Sequence, residues 1–236
     1  MKPSAAAHQR ATLYAALHRG NPGDVAFYQA QTAGAHRILE LGCGAGRLLS
    51  ALAAPGAEVW GLELDLGLAG LAEASVARLP AATRARIHLQ HGDMRAFALD
   101  RRFDRILLPY NGLYCLTSAA AQRACLQCVA AHLTPAGLLL LDGYNADDFH
   151  QHAEPGPDPW QQVAEIRWRG QPLAVFERSD WQPAQQQLVA HYRYVDATGR
   201  LVHEDRIPQR YLRTAELSAL FASAELQLRT LWGDFA

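Results

Sequence analysis

The sequence predicts an α/β protein: a Rossmann-like, doubly wound and mostly parallel sheet, with an N-terminal helical lid and a C-terminal antiparallel β insertion. Three observations carry this reading. Short apolar runs alternate with helical-period stretches from residue 36 to residue 142, the pattern of buried parallel strands joined by crossover helices. The first run, Ile38-Leu39-Glu40-Leu41, ends on a turn with glycines at alternate positions, Gly42, Gly44 and Gly46. Beyond residue 160 the helical period gives way to the alternation of half-buried strands.

The elements follow in order. Residues 4–19 and 24–34 read as two helices broken by Gly20-Asn21-Pro22-Gly23, with Asp24 as N-cap of the second. The first strand and glycine turn come next, then Val59–Glu63, Ala85–Leu89 and Phe103–Leu108 as the second to fourth strands. Thr134-Pro135-Ala136-Gly137 turns a helix end into a fifth strand reaching Asp142. The Pro-, Asp- and His-rich stretch from Asp147 to Pro159 marks a boundary. Leu173–Trp181, Gln187–Asp196 and Leu201–Tyr211 read as strands, the last two joined at Ala197-Thr198-Gly199. Thr214 is expected to cap a helix through Phe221, and Leu226–Trp232 to form a final strand. The expected organisation is a lid over 1–34, a cofactor-binding core over 35–150, a β insertion over 160–212, and a helix and strand completing the core over 213–236.

Glycine at a strand–helix turn permits positive φ and lets a ligand touch the main chain. The spacing then discriminates. A dinucleotide fingerprint is G-x-G-x-x-G, whereas here the third glycine falls one position early and Arg47 fills the slot. A P-loop needs a Lys after its last glycine, and none follows Gly46. Glu63 closes the second strand, where a doubly wound fold presents a carboxylate to a ribose diol. Asp65 is the competing acid, but the strand ends at Glu63.

An acid ahead of G-x-G-x-G resembles motif I of class I S-adenosylmethionine (SAM) methyltransferases. Asp93-Met94 resembles that family's adenine segment, and Pro109-Tyr110-Asn111-Gly112 its motif IV loop. The Tyr-bearing N-terminal helices, with Tyr14 and Tyr28, are similar to those of bacterial small-molecule N-methyltransferases of the sugar amine and glycine/sarcosine types. The ordered motifs span roughly residues 13–142 and become looser beyond.

The resemblance implies SAM as cofactor and S-adenosylhomocysteine (SAH) as its product. The implied cofactor residues are Tyr14, Tyr28, Glu40, Gly42, Cys43, Gly44, Glu63, Leu64, Asp93, Met94 and Pro109. Asp93 would accept from the adenine amine, Met94 would cover a ring face, and the two tyrosines would close over the methionine end. The acceptor is expected near Tyr110, Asn111, Tyr114 and Tyr144, with His191 and Arg210 reaching it from the C-terminal half. The loop lacks the N/D-P-P-Y of enzymes that methylate planar amide or adenine nitrogens. Methyl transfer demands alignment and exclusion of water more than an acid/base pair, and no catalytic residue is assigned.

Lys plus Arg number 22 and Asp plus Glu 23, so no basic field awaits a phosphate backbone. The expected partner is a small-molecule acceptor rather than nucleic acid. The apolar runs are too short to span a bilayer and no leader is seen, so a cytoplasmic location is expected. Cys125-Leu126-Gln127-Cys128 is a lone CxxC, read as packing, and the paired histidines are too sparse for a metal site. The chain is expected to end one strand short of the family's terminal hairpin; either it is truncated, or an inserted strand fills the place, or a partner such as a second copy covers the edge. The leading expectation is methyl transfer to nitrogen or oxygen of a small molecule. The alternatives are an RNA or protein methyltransferase, a non-catalytic SAM-binding subunit and, more weakly, an NAD oxidoreductase.

Overall fold

A computed structural model describes residues 4–235; residues 1–3 and 236, the outermost parts of the first and last expected segments, lie outside it. Helices α1 (Ala5–Leu17) and α2 (Asp24–Gln31) precede β1 (Arg37–Leu41). Then come α3 (Leu49–Leu52), β2 (Glu58–Glu63), α4 (Leu66–Ala77), α5 (Ala81–Arg84), β3 (Ile87–His91) and β4 (Phe103–Leu108). Helix α6 (Ala119–His132) leads straight into β5 (Leu133–Leu141). The sheet runs β3-β2-β1-β4-β5, with all four pairings parallel. Strand order reverses beside β1, so the carboxyl ends of β1 and β4 open the crevice where such sheets bind ligands. The central strands are largely apolar because both faces are covered: Leu39, Leu41, Ile106 and Leu107 are all buried.

Past the short helix α7 (Asp147–His152), the chain builds a second, antiparallel sheet from β6 (Gly156–Pro157), β7 (Gln161–Trp168), β8 (Gln171–Gln182), β9 (Gln187–Asp196) and β10 (Leu201–Arg210). Its order is β10-β9-β8, with β6 and β7 both along the free side of β8. One face packs on the main core: Val175, Leu188, Ala190, Tyr192 and Tyr194 join the same apolar cluster as Leu39, Ile106 and Leu13. Helix α8 (Thr214–Ala222) closes the order of elements.

Several expectations need correction. Among the described residues no strand forms after α8: Leu226 to Trp232 is irregular, and Trp232 and Phe235 pack against Phe27 of α2 instead. The aromatic contact, not a ladder, decides that segment's course. Gly23 at φ 84°, rather than Asp24, is the N-cap of α2. Asp24 is buried, and its two oxygens accept from Arg47 at 2.9 and 2.6 Å. Arg213 rather than Thr214 caps α8; its backbone N–H donates to Glu216, three residues on, at 3.0 Å. Strand β7 and helix α7 lie where no element was expected. The strand reads weakly because its residues are mostly exposed, so little apolar alternation marks it.

Candidate active site

The glycine turn is built by sterics. Gly42, Gly44 and Gly46 sit at φ 65°, 57° and 79°, where a side chain is strained. A Cβ on Gly42 or Gly44 would meet nothing within 4 Å, so the backbone faces open space at the crevice. A Cβ on Gly46 would lie 3.2 Å from that of Ala72, which makes it the close-packing glycine between turn and α4. Gly61 is needed for another reason: a Cβ there would lie 2.8 Å from Cys43 Sγ. Cys43 is thereby buried, its N–H donating to Leu62 O at 3.1 Å.

Two carboxylates flank the turn. Glu63 Oε2 accepts from Gly44 N at 2.8 Å and Oε1 from Asp65 N at 2.7 Å. Each oxygen retains a lone pair for a further donor. Burial raises the Glu63 pKa, while these backbone N–H groups pull it down. Glu40 is buried one strand away, and its Oε2 has no hydrogen-bond partner. Burial pushes its pKa up to about 8; Arg47 pulls down, and Glu63 and Asp24 push up. A buried oxygen without a partner, beside an open glycine backbone, suits a cationic, hydrogen-bonding ligand group.

Other expected cofactor residues are more constrained. Leu64 is 55% exposed beside Glu63, an apolar surface at the rim. Both oxygens of Asp93 are taken by the Arg95 guanidinium, with contacts of 2.5 to 3.0 Å. An adenine amine would have to share them. Met94 packs partly into the core, and Pro109 is buried at the end of β4. Tyr14 stands on α1 with its ring 4.3 Å from that of His18. Tyr28 corrects the lid expectation: it is fully enclosed and its hydroxyl donates to Asp142 Oδ1 at 2.5 Å, so it holds the floor rather than closing a cover.

The loop after β4 is wound unusually. Tyr110 and Asn111 are consecutive residues in the left-handed region, at φ 55° and 60°. Bonds between backbone N–H groups and side-chain oxygens hold them there: Tyr110 N donates to Asp142 Oδ1 at 2.8 Å, and Asn111 Oδ1 accepts from Tyr144 N at 2.9 Å. Strain kept in place by neighbours is characteristic of functional loops. Tyr114 is buried, its hydroxyl reaching the carbonyls of Tyr144 and Leu212, and serves packing. The Tyr144 hydroxyl donates to Gln209 at 2.9 Å.

Two acceptor expectations fail on geometry. His191 alternates with the buried Ala190 and Tyr192, so it lies on the outer face, away from the crevice. Arg210 is committed: its guanidinium donates to the side-chain oxygens of Gln122 at 2.8 Å and Gln186 at 3.2 Å. In their place stand residues that sequence reasoning missed. His18 lies edge-on to Tyr192 at 5.3 Å and to Tyr110 at 6.0 Å. Glu177 and Asp205 are the cross-strand neighbours of Tyr192. The signal for Glu177 was an acid at the inward parity of a strand whose Leu173 and Val175 are apolar. Two hollows, of about 190 Å³ between α2 and α3 and about 330 Å³ beside Asp147 and Arg213, lie away from this rim.

Comparison with known proteins agrees with the crevice. A family profile described as a methyltransferase domain matches residues 38–137, from β1 into β5. Over that stretch the chain is similar to class I, SAM-dependent methyltransferases. The chain is similar to a dTDP-3-amino-3,6-dideoxy-alpha-D-glucopyranose N,N-dimethyltransferase of Streptomyces fradiae. They share 31% identity over 140 residues, 56% of this chain and 52% of that one, so the match spans about half the relative's length. A dTDP-3-amino-3,4,6-trideoxy-alpha-D-glucopyranose N,N-dimethyltransferase of Streptomyces venezuelae is 25% identical over 87% of this chain and 81% of its own. Among solved structures, SAM-bound CalS10, an amino pentose methyltransferase of Micromonospora echinaspora, superposes with a TM-score of 0.64 at 26% identity, covering 92% of this chain and 82% of that one.

Proposed function

We propose that this protein is a SAM-dependent methyltransferase that transfers a methyl group to the nitrogen of a small-molecule amine of the amino-sugar kind. The observation that carries it is the paired carboxylates at the glycine turn: Glu63 held by Gly44 N–H, and behind it Glu40 with a buried oxygen lacking a partner. Similarity to enzymes whose names specify N,N-dimethylation of amino sugars supports nitrogen as the acceptor atom.

Glu63 would accept from the ribose diol, Glu40 would receive the methionine ammonium, and the Gly42–Gly44 backbone would lie against the nucleoside. Leu64 and Met94 would cover the adenine. SAM, when bound, supplies an electrophilic methyl on a sulfonium. The chain's own task is to align the acceptor lone pair with it and keep water out, which the aromatic rings of Tyr14, Tyr110 and Tyr192 are placed to do. Incubation with SAM and 3-amino-3,6-dideoxyglucose derivatives, read by mass spectrometry, tests the reading. A gain of one or two methyl masses on nitrogen is expected; SAM binding without transfer to any amine contradicts it.

Glu40 should make cofactor binding depend on pH. Its protonated form favours the ligand-free fold, so its stabilisation is present below the ordinary carboxylate range and lost as pH rises toward about 8. A cation seated on its carboxylate draws the proton off. Apparent SAH affinity should therefore climb with pH, by up to about tenfold per unit, and level off as the carboxylate becomes ionised. Titration calorimetry in buffers of differing ionisation heat would show the released proton. Glu40→Gln should flatten the profile, and an unchanged slope in that variant would remove Glu40 from the site.

The outer side of β5 has no hydrogen-bonded strand among the described residues. We propose a homodimer through this edge; a clean monomer mass by light scattering at micromolar concentration would rule it out.

A further inference from the structure

The wall facing the loop after β4 has a definite electrostatic character. The register of β8, β9 and β10 sets Glu177, Tyr192 and Asp205 side by side on the inner face. Tyr192 and Glu177 are direct cross-strand partners, so phenol and carboxylate stand together on that face. His18 brings α1 onto Tyr192, and with Tyr14 and Tyr110 completes an aromatic box drawn from α1, the loop after β4 and the second sheet. Burial lowers the His18 pKa to about 4, so the box gains no positive charge from it at neutral pH. The guanidiniums around the box are engaged. Arg10 is shared between Asp65 and Asp205, Arg47 is held by Asp24, and Arg210 by two glutamines. Arg19, next to His18, is exposed and donates to Ala16 O. Arg178, Arg193 and Arg206 share the strands but carry the opposite parity.

Aromatic faces and a carboxylate attract an ammonium and disfavour a phosphate. The relatives named above act on sugars linked to thymidine diphosphate. Resting on the amine-methylating reading, we propose that this chain takes an amine acceptor with no diphosphate handle, and that Glu177 recognises the amine-bearing end. Glu177 is a specificity-determining residue in this account and takes no part in bond making.

The test uses the SAH-loaded full chain and two probes: the methyl glycoside of 3-amino-3,6-dideoxyglucose and the same amino sugar linked to thymidine diphosphate. Calorimetry should show the glycoside binding more tightly. Glu177→Gln should weaken the glycoside by roughly tenfold to a hundredfold, the loss of one hydrogen bond to a charged group, while SAH affinity stays as in the parent. Glu204→Gln, which removes an acid from the outer face, should leave the glycoside as tight as before. Tighter binding of the diphosphate probe, binding of neither probe, or an indifferent Glu177→Gln variant overturns the proposal while the SAM reading stands. Failure of the parent protein to bind SAH overturns both.

Discussion

Glu63→Ala is expected to weaken SAH binding by roughly 1.5–3 kcal/mol, the scale of hydrogen bonds to a charged group. The carboxylate has two duties. It accepts the N–H groups of Gly44 and Asp65, which fixes the turn against the end of β2, and it keeps a free lone pair on each oxygen toward the crevice. Alanine removes both at once. Asp65→Ala should behave differently. Asp65 caps α4 by accepting from Leu68 N at 2.9 Å and is ion-paired with Arg10 of α1, so its loss should lower stability more than cofactor affinity. SAH titration beside thermal unfolding of both variants separates the two roles. An affinity loss in Asp65→Ala with Glu63→Ala silent would transfer the ribose role to Asp65.

Asn111→Ala should cut turnover by up to about a hundredfold while leaving SAH affinity nearly intact, because misplacing the acceptor wall costs alignment rather than ground-state binding. Asn tolerates the left-handed region, whereas alanine there costs roughly 1–2 kcal/mol, and the bond to Tyr144 N is lost as well. Asn111→Gly removes the same bond but suits the same backbone, so it should retain more activity than alanine. Steady-state kinetics on both variants, with SAH titration alongside, checks this. Equal loss in the two would make the hydrogen bond, not the backbone, the controlling feature; loss of SAH binding in step with turnover would place the loop in the cofactor site.

The parallel-sheet half of the molecule is legible because its signals are local. A strand buried on both faces is a continuous apolar run, and a glycine turn is a contiguous motif. Both survive without knowledge of the rest of the chain, and the β1 to β5 order follows from them. The antiparallel half depends on register, which no single strand reveals. Alternation along β9 puts Tyr192 and His191 on opposite faces without saying which is inward, and Glu177 and Asp205 are brought beside Tyr192 only by the pairing of β8, β9 and β10. His18 was missed because it lies at the end of α1, where helical period no longer says which way a side chain turns. Tyr28, expected in a lid, is buried because Asp142, far away in sequence, offers its hydroxyl an acceptor. The expected terminal strand failed because Phe27 and the tail aromatics give that segment a packing alternative.

Titration calorimetry of the purified chain with SAH, and in parallel with NAD, tests the central claim most directly. Micromolar binding of SAH, about −7 to −8 kcal/mol, with no binding of NAD is the expected result; binding of NAD with no response to SAH would contradict the account.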